Sequence, residues 1–171
     1  MTIYYCQSKV TYDEFNYDEH ISQLISREKP GFDAMAYLHH ILHSEEKLFG
    51  GHGKFVENNL KIKSPKVFLD NERDELTKRF KRGEIAYKET PLGACVTTSP
   101  CDKRAFRIIT ACVNCEKSVI KPSKLISTIA RQSILVQELK DLNYDSVEYR
   151  TELAELNALE MLHSQIIAKS N

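Results

Sequence analysis

The chain has no tryptophan, only six glycines and five prolines among 171 residues, and no net charge, with 24 Lys and Arg against 24 Asp and Glu. No apolar run approaches the roughly 20 residues of a membrane span, which excludes a bilayer-crossing helix. The opening MTIYYCQSKVTYDEF lacks the basic and apolar regions of a signal peptide, so the cytoplasm is the expected compartment. Thiols stay reduced there, which favours metal over disulfide. There is no internal repeat, low-complexity tract or long flexible linker. What remains, 42% hydrophobic and 28% charged, suits a modest core in one medium domain or two small lobes.

Against these absences stand five cysteines, four of them between Thr90 and Lys117: Cys95, Cys101, Cys112 and Cys115. The last two form C-x-x-C, a spacing whose tight turn brings two sulfurs to one side of a tetrahedral ion. Cys95 and Cys101 form a looser pair, preceded by Gly93 and including Pro100. The pattern points to a structural zinc site with these four cysteines as ligands, in two arms. Buried free thiols and two disulfides are the alternatives. A redox or nucleophilic pair at Cys112 and Cys115 is a third, because C-x-x-C at a helix N-terminus lowers a thiol pKa. Cys6 reads as an ordinary thiol.

Hydrophobic periodicity predicts a mainly α fold with a small β insert resembling a zinc ribbon. Thr11-x-x-Glu14 opens a helix to about Glu28, which Pro30-Gly31 breaks. A second helix runs from about Asp33 to Phe49 and ends at Gly50-Gly51-His52-Gly53, and a shorter piece covers Phe55 to Leu60. Ser64-Pro65 starts a helix through Leu69, Leu76 and Phe80, with Gly83 past its end. Glu84 to Lys88 and Phe106 to Thr110 read as short strands leading into the cysteine arms. Pro122 opens a long helix to Leu142, and Asp145-x-x-Glu148 caps a last one through Ile166. Two long amphipathic helices on a short loop predict an antiparallel hairpin. The expected division is a helical region over 1–63 and, over 64–171, a helix, a cysteine knot at about 84–120 and the hairpin.

Charge is unevenly spread. From Lys103 to Arg131, the basic residues Lys103, Arg104, Arg107, Lys117, Lys121, Lys124 and Arg131 face only Glu116, whereas acids dominate from Glu138 onward. A basic knot beside an acidic helix suits a nucleic-acid contact, with Lys103, Arg104, Arg107, Lys117, Lys121 and Lys124 as candidates, or two lobes that neutralise each other. The basic turn Lys78 to Arg82 reads as a solvated helix end. His39, His40, His43 and His52 form a histidine cluster. His39 and His43 are one helical turn apart, but there is no H-E-x-x-H, and a polar-face role is the better reading.

The segment from Leu38 to Gly50 resembles the last catalytic block of tyrosine recombinases, in which a histidine is followed about nine positions later by the nucleophilic tyrosine. Here His40 falls in the histidine slot and Phe49 in the tyrosine slot. Upstream, Asn16 and Glu19 stand where that family's preceding block has a histidine and an arginine. The order of the four cysteines followed by a helical hairpin is similar to a zinc-binding C-terminal extension of some integrases of bacterial mobile elements. The resemblance implies a protein that has lost its nucleophile, since Phe49 has no oxygen to join to phosphate and Glu19 would repel it. Its expected role is an accessory or regulator of DNA integration or recombination, contacting DNA or a recombinase. A remnant, or a zinc-ribbon adaptor binding proteins through the helix from Val147 to Ile167, is also compatible.

Overall fold

The computed structural model describes residues 17–61, 70–101 and 109–168. The described chain is mainly helical, with one small three-stranded antiparallel sheet. Helix α1 spans Tyr17–Tyr37 and widens into a π-turn over Leu38–Leu42. Helix α2, Gly51–Phe55, continues as a π-turn over Val56–Leu60. Helix α3 is Asp70–Lys81. Strands β1 (Lys88–Thr90) and β2 (Gly93–Cys95) form a hairpin, and a 3-10 turn, Ile109–Cys112, precedes β3 (Ser118–Ile120). Helices α4 (Pro122–Asn143) and α5 (Val147–Ala168) close the chain.

Two apolar clusters meet at β3. Ala34, Tyr37 and Ile41 pack with Val56, Leu76, Phe80, Ala94 and Val119 in the first. Phe49, Leu92, Ile120, Leu125, Leu159 and Ile166 form the second. Successive strand residues point to opposite faces, so Val119 serves one cluster and Ile120 the other. The first cluster draws on residues either side of the expected boundary at 63/64, which itself lies outside the described residues.

Several expectations change. Pro30 does not break α1. It removes one helical donor, but the carbonyl left over belongs to exposed Ser26, where water can satisfy it. The second predicted helix therefore begins inside α1 and stops near Leu42. The glycine run starts a helix instead of ending one, with Gly50 at φ +82° as the residue before α2. The start at Ser64-Pro65 and most of the strand at Phe106–Thr110 lie outside the described residues, while Ile109 and Thr110 are 3-10 rather than strand. The first strand sits at Lys88–Thr90, after an irregular Ile85–Tyr87.

Other signals hold in detail. Gly83 (φ +70°) ends α3, with the Gly83 N–H bonded to the Phe80 carbonyl (3.0 Å) and the Glu84 N–H to that of Arg79 (3.1 Å), the two bonds of a Schellman motif. In the hairpin, the Gln132 side-chain amide donates to the Glu152 carboxylate at 2.5 Å. The cap of α5 is Ser146, whose Oγ accepts the Tyr149 N–H at 3.1 Å, not Asp145.

Gly93 is the tightest point of the sheet. A Cβ there would lie 2.4 Å from the Val119 carbonyl oxygen, on a backbone at φ +146°. At Gly83 a Cβ meets nothing within 4 Å, leaving only the left-handed backbone cost. Gly83→Ala should therefore cost about 1 kcal/mol and Gly93→Ala about 3 kcal/mol, because overlap adds to strain. Equal unfolding midpoints in urea for the two variants would contradict this packing.

Candidate functional site

The sheet assembles the cysteine region. In the β2–β3 register Cys95 stands opposite Ser118. Ser118 in turn donates from its N–H (3.2 Å) and its Oγ (2.7 Å) to the Cys115 carbonyl. The Cys115 N–H reaches the Cys112 carbonyl at 3.3 Å, closing the C-x-x-C turn. One residue of the first arm and both of the second are thus drawn to the same end of the sheet. The Gly51 N–H also bonds to the Cys115 carbonyl (3.3 Å), and a Cβ on Gly51 would lie 2.4 Å from the Glu116 Cα, so α2 lies directly against this turn.

The second arm is fixed from a distance. The Glu155 carboxylate of α5 accepts the N–H groups of Ile109 (2.5 Å) and Thr110 (3.0 Å). These are donors that the start of a helical turn leaves without an internal partner.

All four cysteines are free thiols, Cys101 exposed and the others half-buried. Cys112 packs against the second apolar cluster. The donor chemistry suits zinc, and the β2–β3 register sets Cys95 beside the residue that bonds to the C-x-x-C turn. Yet among the described residues no group of three or more His, Cys, Asp or Glu side chains is gathered closely enough to hold a metal ion. Cys112 ends its 3-10 turn instead of opening a helix, so the helix-terminus effect that would activate a redox pair is missing.

The candidate cations fare differently. Lys103, Arg104 and Arg107 lie outside the described residues. Lys121 is half-buried and faces Glu46 at 3.8 Å. Lys124 holds Glu89 at 2.9 Å and keeps that carboxyl below the usual carboxylate range. Lys117 is exposed on the cysteine turn. Arg79 and Arg82 of the α3 terminus pair with Glu84, and Arg82 also with Glu75.

The histidines do not form one site. The π-turn places the His39 and His40 rings edge to face with centroids 4.9 Å apart, and His40 stacks on Tyr87 at 6.2 Å. Phe49 is 8% exposed and packs in the second cluster. One polar pair escaped sequence reasoning. The hydroxyl of Tyr37, a residue 2% exposed, meets His52 Nε2 at 2.8 Å. Burial pushes the Tyr37 phenol up to about 12. Burial and then Lys117 push His52 below the ordinary histidine value. Nothing local in the sequence links positions 37 and 52.

Comparison with protein-family models, with curated proteins and with solved structures gives no match.

The Tyr37–His52 pair has a pH consequence. Since the folded chain binds the His52 proton less readily than the unfolded chain, stability is full above about pH 6.5 and falls as pH drops through the depressed folded value. His52→Gln should flatten the loss of melting temperature between about pH 7 and about pH 5, while His40, also depressed by burial and Lys121, retains its share. An unchanged slope would exclude His52 as a source.

Proposed function

We propose that this chain is a non-catalytic, zinc-stabilised, DNA-associated protein that acts as an accessory or regulator of DNA integration or recombination. On this reading it is similar to the C-terminal part of a tyrosine recombinase of bacterial mobile elements, with Phe49 in place of the nucleophile. The observation that carries the reading is the β2–β3 pairing, which brings Cys95 and the Cys112–Cys115 turn to one end of the sheet beside exposed Lys117. Zinc would be held by Cys95, Cys101, Cys112 and Cys115. Three-residue strands bury little on their own, and metal binding would supply folding free energy to this region. DNA would be contacted through exposed Lys117, with Lys121 and Lys124 contributing where phosphate displaces their carboxylate partners; the candidates Lys103, Arg104 and Arg107 lie outside the described residues.

Two measurements test this. Metal analysis should find stoichiometric zinc, and Ser at any of Cys95, Cys101, Cys112 or Cys115 should lower the melting temperature far more than Ser at Cys6. Equal stability of all five variants would remove the zinc from the account. Duplex DNA should be retained at low salt, with affinity falling by about 0.9 log units per log unit of salt for each phosphate neutralised. Absence of retention at low salt would remove the DNA contact.

A protein-only adaptor is the second reading, favoured by one feature of α1. Ile21, Leu24, Ile25, Phe32 and Met35 share a single face of that helix and are all exposed, an apolar stripe of the kind partner helices cover. Binding through it would respond little to salt. On α5, Leu156, Leu159 and Ile166 are buried within the fold, while Val147, Met161 and Ile167 stay exposed.

A further inference from the structure

The hairpin of α4 and α5 has two unlike ends. At the end near the sheet, Leu125, Leu159 and Ile166 pack in the second cluster. At the other, α4 stops at Asn143 and α5 begins at Val147. There Leu142, Tyr144 and Val147 are 82%, 74% and 66% exposed. Single exposed apolar residues are ordinary. Three of this size within six positions, all at one apex, form a patch that folding leaves uncovered.

The surroundings of the patch are acidic. Glu138, Asp141, Asp145 and Glu148 are all exposed, against Lys140 and Arg150. None of the four carboxylates is ion-paired among the described residues. The Asp141 carboxylate accepts a hydrogen bond from the Gln137 amide at 2.9 Å. Some carboxylates elsewhere do have cationic partners, as Glu46 has Lys121, Glu57 has Lys61 and Glu89 has Lys124. Unpaired acids around an aromatic and two aliphatic side chains make an apolar anchor with a charged rim.

We propose that the apex of the α4–α5 hairpin docks a basic protein segment. Leu142, Tyr144 and Val147 enter an apolar seat on that segment, and Glu138, Asp141, Asp145 and Glu148 face its lysines or arginines. Charge complementarity selects this occupant. The carboxylates repel the phosphates of nucleic acid, and apex-to-apex pairing of two copies would set like charges against each other. The site is independent of the zinc and of the DNA contact, because it lies on a different part of the molecule.

The test uses the full chain and a fluorescent amphipathic peptide of lysine and leucine, read by anisotropy. A peptide with glutamate in place of lysine serves as the charge control. The combined variant Leu142→Ser, Tyr144→Ser, Val147→Ser should weaken binding of the basic peptide by about tenfold or more. So should Glu138→Gln, Asp141→Asn, Asp145→Asn, Glu148→Gln, which should also flatten the salt dependence. Both variant sets change exposed side chains, so helical circular dichroism and melting temperature should stay near those of the parent. Unchanged affinity in either set, equal binding of the acidic peptide, or no saturable binding overturns the proposal. Self-association of the parent chain that the serine variant abolishes also overturns it.

Discussion

Three residues, Ser118–Ile120, carry the connection between the halves of this molecule. All three are buried. On one edge they pair with β2. On the other, Ile120 exchanges backbone hydrogen bonds with Phe49, N–H to carbonyl at 2.8 and 2.9 Å. Val119 belongs to the cluster under α1 and α3, and Ile120 to the cluster under α4 and α5. A strand this short has marginal stability alone. It persists because both its edges and both its faces are occupied, and the close approach of Gly93 to Val119 is the steric condition for that. The cysteine arms inherit their placement from the same ladder.

Carboxylates supply the longer ties. Glu46 accepts the Ser123 N–H (3.1 Å) and hydroxyl (2.9 Å) at the first turn of α4, across 77 positions of sequence. Glu57 accepts the Leu48 N–H at 2.7 Å while holding Lys61, and Glu155 fixes the turn that leads into C-x-x-C. Hydrogen bonds to charged groups contribute about 1.5–3 kcal/mol each. That exceeds the median of an exposed ion pair, about 0–1 kcal/mol. Removing Glu46 or Glu155 is thus a larger perturbation than breaking the exposed pairs around Arg82.

What could be read from the sequence follows from how local each signal is. The α4–α5 hairpin was legible because Pro122, the 3.6-residue apolar spacing and the short break after Leu142 all act within a few positions. The α3 terminus at Gly83 was legible for the same reason. Pro30 misled because the cost of an interior proline depends on where the orphaned carbonyl points, which the sequence does not reveal. Gly50 misled because its positive φ serves the entry to α2 and not the exit from a helix. Ile109 and Thr110 read as strand because Glu155, their backbone partner, lies 46 and 45 positions away. The ion pairs of Lys121 and Lys124 were hidden in the same manner, since their partners Glu46 and Glu89 lie well before the basic block in the chain. The four cysteines stand out in the sequence as a set, but what relates Cys95 to the turn at Cys115 is the sheet register, which no local spacing encodes.

The placement of the cysteine arms, and with it the zinc reading, depends on β3 acting as one seam. Native-state hydrogen exchange at the Ile120 amide, bonded to Phe49, tests this most directly. The account predicts that this amide opens only with the whole molecule, at the same free energy as the most protected amides of α1 and α4. Exchange at Ile120 through a lower-energy opening that leaves both α1 and α4 protected would contradict it.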